Sequence, residues 1–121
     1  MDDSTPTRPL DPKMMRRYAA DAATLMRALS NRHRLLILCV LSEGELSVGE
    51  LNSRVRLSQS ALSQHLAVLR REQLVTTRRS AQTIYYSVTE GLAMNVVRLL
   101  HDHYCCDTQN YKVHNQRGTL T

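Results

Sequence analysis

Between Leu46 and Val88 the spacing of apolar residues changes once, and that change restricts the chain to a small set of folds. Up to Arg71 the apolar residues recur three and four apart: Val48, Leu51 and Val55, then Leu62, Leu66 and Leu69. Each trio therefore lies along one side of a helix. Beyond Arg71 come Leu74–Thr77 and Ile84–Val88, rich in β-branched and aromatic residues, flanking a polar, charged connection from Arg78 to Thr83. Two such runs predict a β-hairpin. Ser58 stands where an N-cap belongs, before a second helix opening at Gln59. Two short helices, a tight turn and a two-stranded ribbon together describe a winged helix-turn-helix. In that arrangement the second helix lies in the major groove of DNA and the ribbon tip near the backbone or minor groove.

The outward side of the second helix carries Ser60, Ser63, Gln64, Ala67 and Arg71, residues short enough or polar enough to approach base edges. Gln59, Ser60, Ser63, Gln64 and His65 are the candidate base contacts; the Gln64 amide suits a bidentate pair with adenine. His65 has two readings, a contact to DNA or a ring packed beside the helix. Arg78, Arg79 and Gln82 are the candidates on the ribbon. From Ser53 to Arg79 six arginines stand against one acid, Glu72, a balance of +5 that equals the charge of the whole chain. The excess positive charge thus sits on the element expected to neutralise phosphates.

The remaining segments frame this module. A helical pattern runs from Lys13 to Leu29 through Tyr18, Ala22, Leu25, Met26 and Leu29, and Ser30-Asn31 breaks it, with Asn31 placed to cap the next helix. That helix contains seven apolar residues in succession, Leu35 to Leu41, which predicts a rod covered on all sides and ended by Gly44. After the ribbon, Thr89 or Glu90 opens a last helix with Leu92, Val96, Leu99, Leu100 and Tyr104 as its apolar face. The fold expected is mainly α with a small β-hairpin: four helices, the ribbon, then a fifth helix. Its domain spans residues 13–106, between a flexible arm at 1–12 and a flexible tail at 107–121. With 121 residues and neither Trp nor Phe, one modest core forms, and a homodimer joined through the first and last helices adds burial. No apolar run approaches the roughly 20 residues that span a bilayer, and the amino terminus is no secretory signal. The expected location is the cytoplasm, with no membrane partner.

The order of elements, together with Leu29-Ser30-Asn31-Arg32-His33-Arg34-Leu35, Glu45-Leu46-Ser47-Val48-Gly49-Glu50-Leu51 and Leu57-Ser58-Gln59-Ser60-Ala61-Leu62-Ser63-Gln64-His65-Leu66, closely resembles the ArsR/SmtB family of bacterial dimeric repressors. The resemblance runs from about Tyr18 to Cys105. It implies a homodimer that binds double-stranded operator DNA and changes affinity when an effector is sensed. Metalloid-sensing members carry Cys-x-Cys where this chain has Ser47 and Gly49. Cys39 in the apolar helix and Cys105 at the end of the last helix instead resemble the thiol- and persulfide-responsive HlyU, SqrR and BigR branch. There, two thiols on these elements become joined by oxidation or by sulfur from persulfides. Cys106 departs from that pattern and leaves open which tail thiol pairs with Cys39.

Taken alone, Cys39 reads as a core thiol beside Leu35 and Leu36, whereas Cys105, in a polar terminus with His101 one turn away, is better suited to first attack. A cytosolic pair able to form a disulfide is more often a switch than a staple. Reactive sulfur or an oxidant is then the effector, with no cofactor, and the linked form is expected to bind DNA more weakly. A second reading is a zinc sensor built from His101, His103, Cys105 and Cys106. His103 and His114 fit part of the family's zinc pattern, but Arg117 stands where the final ligand belongs. A third, a thiol-dependent redox enzyme, would want Cys-x-x-Cys or a cysteine at a helix start, and the chain has neither.

Overall fold

In the computed structural model, which describes residues 8–106, the winged helix-turn-helix is present with one strand more than expected. The elements are α1 (Pro12–Leu29), α2 (Arg32–Leu41), β1 (Leu46–Ser47), α3 (Val48–Val55), α4 (Gln59–Arg71), β2 (Val75–Ser80), β3 (Thr83–Val88), α5 (Leu92–His101) and a closing π-helical turn (Asp102–Cys106). The tail from residue 107, with His114 and Arg117, lies outside the described residues, as do residues 1–7 of the arm.

Local chemistry sets the boundaries. The Asp11 carboxylate accepts the amides of Lys13 and Met14, and Pro12, whose missing N–H costs nothing at a first helical position, opens α1 at the residue expected to end the arm. Asn31 caps α2 as expected, its side-chain oxygen accepting from His33 and Arg34 at 2.9 and 3.1 Å. Ser47 and Glu50 form a reciprocal capping box on α3, and Ser58 accepts the Ala61 amide at the start of α4. Helix α3 stops where Arg56 turns left-handed (φ 58°), and the turn after α4 uses Gln73 in the same way (φ 63°).

The sheet is antiparallel in the order β1-β3-β2. Strands β2 and β3 pair without a slip from Val75 opposite Val88 to Ser80 opposite Thr83, so only Ala81 and Gln82 remain for the turn. The connection expected from Arg78 to Thr83 is therefore shorter, and both ribbon arginines lie in strand β2. The left-handed Ala81 (φ 56°) makes this tight reversal possible, because a positive φ at the first turn position matches the twist of the flanking strands.

The largest fully buried side chains, Ile37, Leu38, Leu41, Leu51, Leu62, Leu69 and Met94, come from α2, α3, α4 and α5, so the core lies where these helices meet. Each buried aliphatic contributes about 1.5–3 kcal/mol. Two expectations about burial are corrected. Helix α2 is not covered on all sides: α1, α3, α4, α5 and β3 pack against it, yet Leu36 is left 43% exposed and Cys39 half-buried. Helix α2 also ends at Leu41, with Gly44 (φ 149°) turning the chain beyond it. Helix α5 begins at Leu92, later than Thr89 or Glu90, and buries Ala93, Met94 and Val97. Leu92, Leu99, Leu100 and Tyr104 of the expected stripe face outward, while Val96 packs against the core.

Candidate nucleic-acid interface

Helix α4 buries Leu62, Leu66 and Leu69, and the helical period then turns Gln59, Ser60, Ser63, Gln64, Ala67 and Arg71 to solvent on the opposite side. This is the face expected from the sequence. Ser60 Oγ lies 3.5 Å from the capping Ser58 Oγ, and Arg71 reaches the neighbouring Glu72 at 3.4 Å, a long contact at the surface that contributes little.

His65 is different. Its ring is half-buried against the start of α2, with Nδ1 3.3 Å from Arg34 Nη1 and the His33 ring centroid 5.6 Å away. A guanidinium can only donate, so Nδ1 must accept and the proton of the neutral ring sits on Nε2. Burial, then the charges of Arg34 and His33, hold its pKa below the ordinary histidine range. Of the two readings of His65, the geometry matches the ring packed beside the helix. Arg34, not singled out from the sequence, donates in addition to the carbonyls of Ala28 (2.6 Å) and Arg27 (3.1 Å) at the end of α1, the second of which also accepts the Ser30 amide. One side chain thus joins α1, α2 and α4.

The two ribbon arginines also part ways. Arg78 donates twice to Glu45, at 2.9 and 2.7 Å, and lies over the Tyr85 ring at 4.5 Å. The Arg78 hydrogen bonds and charge, with help from Ser87, hold the Glu45 carboxyl below its ordinary range against a desolvation that pulls the other way. Arg79 has no ion-pair partner among the described residues and is exposed, as is Gln82 in the turn. Glu45 was missed because it lies 33 residues from Arg78, a separation that no local pattern encodes.

The thiols sit on α2 and on the turn that follows α5. Cys39 is half-buried on α2, α5 packs against that helix, and the π-helical turn that closes α5 carries the exposed Cys105. Both thiols are free. Cys106 belongs to the same turn, but its side chain lies outside the described residues. The sequence did not foretell the π-helical geometry, a form found often at functional sites. Among the described residues no three His, Cys, Asp or Glu side chains converge as metal ligands; His101 lies 3.5 Å from Asp102, and His103 packs edge-on against Tyr104.

A second surface lies on the terminal helices. Met14, Met15, Tyr18 and Met26 of α1 and Leu92, Leu99 and Tyr104 beyond the ribbon are each 45% or more exposed. No described helix is long and apolar enough to cross a membrane.

Comparison with known proteins places this geometry. The description "Bacterial regulatory protein, arsR family" matches residues 31–77, from the cap of α2 into β2. The transcriptional activator HlyU of Vibrio cholerae is 50% identical over 97 residues, covering 80% of this chain and 90% of that protein. The solved structure of reduced HlyU from the same species is 52% identical and superposes with a TM-score of 0.72, covering 77% of this chain and 98% of that one. The crystal structure of the transcriptional repressor BigR from Xylella fastidiosa is 40% identical, with a TM-score of 0.73 over 79% of this chain and 98% of that one.

Proposed function

The chain belongs to the arsR family of bacterial regulatory proteins, and from that premise we propose a homodimer that holds double-stranded operator DNA until Cys39 is linked to a thiol at the end of α5. That it is a DNA-binding transcriptional regulator follows from the family. The finer reading is carried by one observation: a half-buried thiol on α2, and an exposed thiol on the turn that continues α5, the helix that packs against α2. Residues 13–106 act as the DNA-binding and dimerisation unit, with the two termini as appendages, in the cytoplasm. The exposed apolar face of α1 and α5 supplies the surface for the second copy.

Gln59, Ser60, Ser63, Gln64 and Arg71 present donors and acceptors to the groove, while Arg79 and Gln82 meet the backbone beside it. Arg78 and His65 are spoken for by Glu45 and Arg34. Replacing Gln64 by Ala relaxes sequence preference, and Arg79→Ala weakens all sequences alike, lowering the salt slope by about one.

The chemistry of the switch balances without a cofactor. The Cys105 thiolate attacks the outer sulfur of a persulfide RSSH, forming Cys105–SSH and releasing RS⁻. The Cys39 thiolate then attacks the inner sulfur, forming the disulfide and releasing HS⁻. With peroxide, Cys105 becomes a sulfenic acid and hydroxide leaves; Cys39 attacks that sulfur and a second hydroxide departs. A coupling of about 1–3 kcal/mol, or roughly 5–150-fold in affinity, is the ordinary scale for such a link. The test is intact mass after persulfide or peroxide treatment of the wild type and of Cys39→Ser, Cys105→Ser and Cys106→Ser, followed by operator binding. A link that requires Cys39 and one tail cysteine, with weaker binding, supports the switch. Crosslinked protein that holds the operator as tightly as reduced protein removes it.

A further inference from the structure

The register of the sheet sets up an arrangement that the DNA-binding reading alone does not use. Ser47 and Arg78 both stand opposite Tyr85 on its two flanking strands. Directly opposed residues in antiparallel strands share a face, and so do residues two apart along a strand. Glu45, two residues before Ser47, therefore lies on the same face as Tyr85 and Arg78, and its carboxylate spans β3 to meet the guanidinium. Both oxygens are engaged by separate nitrogens of the fork, and the aromatic ring lies beneath the cation.

We infer that Glu45 is a specificity-determining residue that keeps Arg78 off the phosphate backbone. This rests on the ribbon reading of the preceding subsection. A phosphate competing for Arg78 would have to displace two charge-assisted bonds already made at 2.7 and 2.9 Å within the same sheet. The pair is net neutral, so it adds nothing to the sequence-independent attraction that each free arginine supplies. Arg79, the next residue on β2 and without such a partner, carries that attraction instead. The ratio of specific to random binding benefits, because phosphate contacts strengthen both equally whereas base contacts strengthen only one.

The test measures how the affinity of the reduced full-length chain for operator and for random duplex depends on salt, with unfolding curves recorded for each variant. Arg79→Gln should flatten the logarithmic salt slope by about 0.9, the value for one phosphate contact. Arg78→Gln should leave the slope at the wild-type value. Glu45→Gln should free Arg78, steepen the slope by about 0.9 and narrow the ratio of operator to random affinity. The double variant Glu45→Gln/Arg78→Gln should return the slope to wild type. If Arg78→Gln flattens the slope as Arg79→Gln does, Arg78 already contacts phosphate and the inference fails. It fails equally if a folded Glu45→Gln protein keeps the wild-type slope. If Glu45→Gln unfolds the ribbon, Arg78→Gln alone decides. Wild-type binding without salt dependence, unchanged by Arg79→Gln, would overturn the ribbon reading itself and this inference with it.

Discussion

The segment from α3 to β3 and the pair of terminal helices solve opposite problems. In the first, each element is finished by its own chain: caps at Ser47 and Ser58, left-handed stops at Arg56 and Gln73, and apolar trios turned inward with only Val48 half-buried. In the second, α1 runs for 18 residues yet buries only Ala28 and Leu29, and α5 turns three leucines outward. A long helix with so little of its surface buried gains most of its stability from outside itself. One region is complete as a monomer; the other leaves an apolar surface for the second copy proposed above.

The contrast can be broken from either side. Leu69→Ala, at a fully buried site on α4, should cost about 2–5 kcal/mol in denaturant unfolding; a loss under about 1 kcal/mol would mean the DNA-reading half is not the self-sufficient one. Leu99→Asp, on the outward face of α5, should leave the helical circular dichroism of each protomer intact while weakening dimerisation about 100-fold in sedimentation. Unchanged association would place the dimer surface elsewhere. Ser47→Ala should cost about 1 kcal/mol, and because the cap acts within one protomer the loss should not vary with protein concentration, whereas that of Leu99→Asp should.

The smallest effect is that of pH. His65 has a folded pKa below its ordinary 6.5. As pH falls through that ordinary value the unfolded chain takes up a proton before the folded one does. The stability that the neutral ring contributes is therefore full above that value and is lost as pH falls toward the lowered folded pKa. Unfolding curves between about pH 7.5 and pH 5 should show this decline in the wild type and a flatter profile in His65→Gln. Equal profiles would mean that the contact with Arg34 does not matter to the fold.

What was legible in the sequence was whatever is encoded by near neighbours. The caps at Asn31 and Ser58, the trios on α3 and α4 and the two strands of the ribbon all follow from residues a few positions apart. What escaped was set at longer range. Strand β1 is two residues long and exists only because β3 is there to pair with it. The buried side of α5 begins with an alanine, so the larger leucines drew the stripe onto the opposite face. Leu36 sits in an unbroken apolar run, and such a run has no period to say which residue faces out. Of the candidate base contacts, Gln59, Ser60, Ser63 and Gln64 are exposed as their positions on the helix predict; His65 turned away because Arg34, from a different helix, offers it a partner.

Helix α2 carries Arg34, which touches the recognition helix, in its first turn, and Cys39 further along the same ten-residue rod. On the proposed switch this has a consequence for when the regulator responds. Linkage is reciprocal, so whatever factor the thiol link takes from operator affinity, a seated operator takes from the tendency of the link to close. Protein on DNA should then need a higher dose of oxidant than protein free in solution. The threshold of the response would depend on how many operator copies the cell holds, a property of the genome rather than of the thiols.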